Sequence, residues 1–273
     1  AKALGLSTDK VILSPMSHAG YYPGGKMMTM KVLFEKDTYR LLGAQIVGFD
    51  GVDKRIDVIA TAIRAGMKAY ELAELDLAYA PPYSSAKDPV NMAGYIVENI
   101  KNGVVKQWYY EDTESLQRDE NVTLLDTRTP TEYSRGHVEG FINIPVDELR
   151  ERLSEFDSSK PVYVICQSGL RSYIATRILA GNGLDCYNFA GGFRFYDAVH
   201  QAVLLQEDHK ARLMELAAPL ELPPPSEREQ QFQALWKQFY QTLEIKARHN
   251  EKCRMTHCPK RFWADMVEMK DEF

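Results

Sequence analysis

The stretch KPVYVICQSGLRSYIATRILAGNGLDCYNFAGGF (160–193) changes its period twice without a break. KPVYVICQS (160–168) is a short apolar run ending in polar residues. RSYIATRILAGNG (171–183) then sets Ile174, Ile178 and Leu179 at helical spacing and closes on Gly181 to Gly183, and DCYNFAGGF (185–193) returns to strand text before a Gly-Gly turn. Strand, helix, strand is the pattern of a crossover unit, which joins parallel strands. NVTLLDTR (121–128) reads in the same way, apolar without alternation, as strands covered on both faces do. From about Trp108 onward the chain is therefore expected to form a parallel-sheet α/β domain.

The first hundred residues read differently. VILSPMSH (11–18), KMMTMKVLFE (26–35) and YRLLGAQIVGFDG (39–51) are strand-like and separated by the turn signals YPGG and EKDT, which predicts an antiparallel set. KRIDVIATAIRAGM (54–67) follows as a helix with Ile56, Ile59, Ala60, Ile63 and Met67 inward and Asp53 available as N-cap. DPVNMAGYIVENIKNG (88–103) predicts a second helix, capped by Asp88, opened by Pro89 and ended by Gly103. The reading divides the chain into an α+β domain at 1–105, an α/β domain at 106–202, a helix and proline-rich linker at 203–227, and a helical basic and aromatic tail at 228–273.

Cys166 stands at the carboxyl end of a central strand, the edge where open α/β sheets bind ligands. The loop Gln167, Ser168, Gly169, Leu170, Arg171 can curl so that successive backbone N–H groups converge, with Gly169 easing the turn. The helix starting near Arg171 adds the positive end of its dipole, and Arg171 adds a full charge. All three features favour an anionic sulfur, thiolate or persulfide. A buried structural cysteine is the alternative reading. It suits Cys186 better, because CQSGLRS turns polar after the thiol and breaks any core pattern.

With these motifs in view, residues 108 to 200 resemble a single rhodanese domain. The likeness rests on LLDTRTPTEYSRGHVEGFINIP (124–145), CQSGLRS (166–172) and AGGF (190–193). It implies that Cys166 accepts sulfane sulfur, carries it as a persulfide and passes it to a thiol such as coenzyme A or glutathione. It also implies that Arg171 and the loop from Gln167 to Ser172 bind the anion, and that Asp126 and Arg128 hold the loop. Phosphatases that share this fold are the competing enzyme class, but they place five residues between Cys and Arg. Here four intervene, Gln167 to Leu170.

Residues 1 to about 105 resemble the C-terminal interface domain of flavin-dependent pyridine nucleotide-disulfide reductases, in the coenzyme A disulfide reductase branch that carries a rhodanese tail. SHAGYYPGG (17–25), LLGAQIVGFDGVDKRIDVIATAI (41–63) and DLAYAPPYSSAKDPVNMAGY (76–95) carry this likeness. It implies a homodimer in which Tyr21 or Tyr22, together with Tyr79, reaches the partner's active site; sheet packing is the plainer reading of these tyrosines. FAD, NAD(P)H and coenzyme A belong to a full-length parent. This chain shows no G-x-G-x-x-G after a strand, so it is expected to bind none of these cofactors alone.

Composition bounds the rest. A net charge of −5 argues against a chain-wide nucleic-acid surface, and no apolar run approaches the ~18 residues of a membrane helix. With four cysteines and no signal-peptide pattern at AKALGLSTDK, reduced thiols and a cytoplasmic setting are expected. The chain opens without Met, as a fragment or a processed chain would. In the tail, FYQTLEIKARHNEKCRMTHCPKRFWADM (239–266) resembles the end of an uncharacterised family associated with DNA metabolism. Its basic residues and Phe262 and Trp263 offer the one candidate nucleic-acid surface, and His249, Cys253, His257 and Cys258 lack zinc-site spacing, so no metal is expected. Three function classes stand: a sulfurtransferase, the dimerising and sulfur-feeding part of a larger reductase, and a binding module in which Cys166 is inert.

Overall fold

The computed structural model describes residues 5–217. Strands β1 (Thr8–Leu13), β2 (Met28–Glu35) and β3 (Leu41–Gly48) form an antiparallel sheet in that order. β2 keeps a strict period of two: Met28, Met30, Val32 and Phe34 are buried and the residues between them are partly exposed. The buried set fixes the register, with Val32 opposite Val11 on one side and Ala44 on the other.

Helix α1 (Val52–Arg64) covers this face with Arg55, Ile59 and Ala62. Two expectations change here. Gly51, at φ 66, is the N-cap and Asp53 lies in the first turn. A Cβ at Gly51 would sit 2.2 Å from Nη1 of Arg55, so the cap position has no room for a side chain. Ala60 is exposed, being rotated one residue past the buried stripe. A 3₁₀ segment (Ala69–Glu74) leads to α2 (Pro89–Lys101), where Asp88 caps by accepting from the Val90 N–H at 3.0 Å and Gly103 follows the end at φ 66.

α2 rests on the 3₁₀ segment through Gly94, whose added Cβ would lie 2.2 Å from the Ala73 nitrogen and 2.7 Å from the Leu72 carbonyl carbon. Backbone cannot yield as a side chain can. Gly94→Ala is therefore expected to cost about 1–3 kcal/mol, read as a lower urea midpoint at unchanged slope.

The second sheet is parallel throughout. Its strands are β4 (Gln107–Trp108), β5 (Thr123–Asp126), β6 (Ile142–Asn143), β7 (Val162–Ile165) and β8 (Cys186–Phe189), in the order β4-β8-β7-β5-β6. Its helices are α3 (Thr113–Gln117), α4 (Pro130–Ser134), α5 (Leu170–Gly181) and α6 (Gly192–Ala217). β7 is central. Leu125, Val162, Val164, Ala175 and Leu179 pack on one face, and Trp108, Phe141, Ile165, Phe189 and Tyr196 on the other. The Trp108 indole donates to the Val164 carbonyl at 3.2 Å, which pins the two-residue strand β4.

Ile174, expected inward, is 40% exposed, since the buried stripe of α5 runs through Ser172, Ala175, Thr176, Ile178 and Leu179. α6 starts at Gly192, because Gly191 and Gly192 at φ 95 and 70 turn the chain immediately after β8. The two sheets meet where the Tyr109 hydroxyl can give its single proton to Asp9 or to the Lys10 carbonyl, and where Lys10 pairs with Glu111 at 2.6 Å. Among the described residues no helix is long and apolar enough to cross a membrane. The tail readings, including His249, Cys253, His257, Cys258, Phe262 and Trp263, lie outside the described residues.

Candidate active site

Cys166 is the first residue past β7 and is buried. Its backbone is held from two sides. The Phe193 N–H donates to the Cys166 carbonyl at 2.7 Å, the Arg194 N–H to the Gln167 carbonyl at 3.2 Å, and the Thr127 N–H and hydroxyl to the Ile165 carbonyl at 2.9 and 3.1 Å. The start of α6 approaches so closely that a Cβ on Gly192 would lie 2.6 Å from both the Gln167 carbonyl oxygen and the Ser168 nitrogen. The AGGF motif thus shapes the cysteine loop from outside it.

Inside the loop, Gly169 takes φ 102, which brings its N–H to 3.1 Å from the Cys166 Sγ. That backbone conformation is strained for any residue with a side chain. The Ser172 hydroxyl, at 3.2 Å from both Sγ and the Gly169 carbonyl, can give its single proton to either. The sulfur therefore sits at the amino end of α5 between a backbone and a side-chain donor. Leu170, which is 62% exposed, stands on the outer side of the loop. Cys186 is the contrasting thiol. It lies on the same sheet and donates to the Thr176 carbonyl at 3.2 Å, and burial pushes it up to about 11.

The charged residues pair off. Asp126 and Arg128 are both fully buried, with Arg128 Nη2 at 2.7 Å from Asp126 Oδ2 and its Nε at 3.1 and 3.0 Å from the two carboxylate oxygens. The remaining Arg128 donors reach the Gln167 Oε1 at 3.3 Å and the Gly136 carbonyl at 2.8 Å, and the guanidinium lies 3.9 Å from the centre of the Phe193 ring. Arg171 does not bring a free charge to the loop. Glu132 holds it with both oxygens, at 2.7 and 2.6 Å.

That bond, with help from the Thr129 backbone and hydroxyl, keeps the Glu132 carboxyl down at about 2. Glu132 also closes the capping box of α4 with Thr129. The sequence signal for Glu132 was the Thr-Pro-x-Glu cap at 129–132, which marks a helix start and says nothing of a partner 39 residues away.

The tyrosines gather elsewhere. The Tyr21 and Tyr79 hydroxyls are 2.6 Å apart, and the hydrogen bond between them raises Tyr79 above the ordinary phenol range. Tyr22 packs edge-on to His18, and Tyr83, which sequence reasoning missed, is 73% exposed in the same region. Buried Arg55 organises them. It donates to the carbonyls of Ser17 and Tyr83 at 2.8 and 3.3 Å and pairs with Asp88 at 3.0 Å, tying both tyrosine-bearing segments to α1 and α2. Burial alone would raise the Asp88 carboxyl; bonds from Ser84, the Val90 N–H and Arg55 outweigh it and hold the group below its ordinary value. Among the described residues, no hydrogen bond or ring contact joins these tyrosines to Cys166.

The turn after β7, Cys166-Gln167-Ser168-Gly169, does not fit a dinucleotide pyrophosphate: it lacks the G-x-G-x-x-G pattern, and the Gly192 backbone lies against Gln167 and Ser168.

Comparison with known proteins places three family models on the chain. Residues 1–89 match the pyridine nucleotide-disulphide oxidoreductase dimerisation domain, and residues 110–198 match a rhodanese-like domain. Residues 171–268 match a domain of unknown function, DUF4130, which overlaps the second match. A coenzyme A disulfide reductase of Staphylococcus epidermidis is 46% identical over 87 residues, which is 32% of this chain and 20% of that protein. One of Staphylococcus haemolyticus is 49% identical over 90 residues, 33% and 20% of the two chains.

Among solved structures, reduced Bacillus anthracis CoADR-RHD superposes with a TM-score of 0.69 at 46% identity, covering 71% of this chain and 35% of that one. A NAD-dependent persulfide reductase from A. fulgidus gives 0.65 at 41% identity, covering 72% and 35%. The chain thus spans 20% of the length of these curated relatives and 35% of the two solved structures.

Proposed function

We propose, for a chain that joins a pyridine nucleotide-disulphide oxidoreductase dimerisation domain to a rhodanese-like domain, that Cys166 carries sulfane sulfur as a persulfide to a thiol acceptor. The observation that carries this reading is the position of the Cys166 Sγ at the strand end, with the Gly169 N–H and the Ser172 hydroxyl aimed at it. Donors placed this way stabilise negative charge on sulfur before and after transfer.

In the first step the Cys166 thiolate attacks the outer sulfur of a persulfide R–S–SH. A Cys166 S–S bond forms, the donor's S–S bond breaks, and its electron pair leaves with the thiolate RS⁻. In the second step an acceptor thiolate attacks the outer sulfur of the Cys166 persulfide and releases the Cys166 thiolate. No net oxidation occurs. Asp126 and Arg128 act as supports through Gln167 and Phe193.

Within a longer reductase, two copies of the chain would pair through residues 1–89, and Tyr21, Tyr22 and Tyr79 would stand at the partner's reducing centre. Their exposure, 76%, 43% and 49%, leaves them available for that place. FAD and NAD(P)H would bind in the parts of such a parent that this chain does not span. Coenzyme A would then be the thiol that accepts or donates sulfur. Intact mass after incubation with inorganic polysulfide tests the carrier role. The expected result is one added sulfur, removed by cyanide and mapped to the peptide containing Cys166; an unmodified Cys166 overturns it.

A further inference from the structure

Two guanidiniums stand beside the cysteine loop, and each is occupied by a carboxylate. Arg128 is bound by Asp126, and Arg171 is bound by both oxygens of Glu132, with the two side chains of the second pair each 31% exposed. Arg194, whose N–H holds the Gln167 carbonyl, turns its guanidinium to the Met27 Sδ at 3.0 Å. Among the described residues the hydrogen-bond donors to the Cys166 Sγ are neutral, one backbone N–H and one hydroxyl, and the Arg171 charge reaches the sulfur only through space while Glu132 holds it.

The charge passing through the site differs sharply between sulfur donors. Thiosulfate carries two negative charges to a thiolate that carries one, and it must leave as the sulfite dianion. A protonated persulfide adds none and leaves as a thiolate monoanion. A transition state with three negative charges needs an unpaired cation, and one with a single charge is served by neutral donors.

We infer that Glu132 is a specificity-determining residue of the Cys166 loop: by holding Arg171 in a two-point ion pair it withholds the cation an oxyanion donor requires, and so selects persulfide donors with thiolate leaving groups. This rests on the reading of Cys166 as a sulfur carrier and adds to it the residue that sets the donor class. Glu132 acts through Arg171 and does not touch sulfur. Its second task, the cap on α4, is separable, because glutamine serves equally at the third position of a capping box.

The test compares kcat/KM for thiosulfate and for glutathione persulfide, with cyanide as acceptor, in the full chain and in Glu132→Gln. The expected result is a thiosulfate-to-persulfide ratio raised at least about tenfold in Glu132→Gln. In Glu132→Gln/Arg171→Gln the gain should disappear. An unchanged ratio in the single variant, or a gain that survives loss of Arg171, overturns the proposal. A wild-type chain that uses thiosulfate as efficiently as glutathione persulfide also overturns it, without need of any variant. If neither donor loads sulfur onto the wild-type chain, the carrier reading itself falls and takes this inference with it; that result is distinct from a failed change in ratio.

Discussion

Cys166→Ser is expected to lower sulfur transfer from polysulfide to cyanide by at least about 10³-fold while leaving the fold intact. Serine matches cysteine closely in size, and its hydroxyl would meet the same Gly169 N–H and Ser172 hydroxyl. What it lacks is an accessible anion at neutral pH and the ability to form a stable bond to sulfane sulfur. Cys186 cannot stand in, because its thiol proton is given to the Thr176 carbonyl and its pKa is pushed up to about 11. Ser172→Ala keeps the thiol and removes one donor, so a loss of about tenfold or more is expected. Single-turnover rates with circular dichroism as a fold control measure both. Transfer surviving in Cys166→Ser at near wild-type rates would show that Cys166 is not the carrier and overturn the proposed function.

The cysteine loop was legible in the sequence because its parts are local. A strand end, a glycine able to take φ 102 and a helix start all fall between Ile165 and Ser172. The alternation of β2 and the Asp88-Pro89 helix start were legible for the same reason. Long-range features were not. Strands β4 and β6 have two residues each, too few for any period, and exist only because Trp108 and Ile142 find neighbours far along the chain. The sequence suggested a free Arg171 beside the thiol, since neighbours in sequence were all it could count. Glu132 neutralises that charge from a separate helix, a pairing that depends on how α4 and α5 pack.

The second large effect concerns the buried pair under the loop. Arg128→Met is expected to cost about 3–5 kcal/mol of stability, because it strands the Asp126 carboxylate in a site that water does not reach. Against a typical total of about 5–15 kcal/mol, this brings the domain close to unfolding at physiological temperature. If the stranded charge is the cause, Asp126→Asn/Arg128→Met should recover most of the loss, since asparagine is neutral and can still accept from the residue 128 N–H.

Sulfur transfer should not recover with it. The Arg128 guanidinium also reaches the Gln167 Oε1 and the Gly136 carbonyl and stacks on Phe193, whose N–H holds the Cys166 carbonyl. Methionine replaces none of these polar contacts. Urea denaturation and single-turnover transfer on the two variants therefore separate two roles. Stability that returns while transfer stays low identifies Arg128 as the residue that positions the loop. Transfer that returns together with stability would reduce the pair to a support of the fold alone.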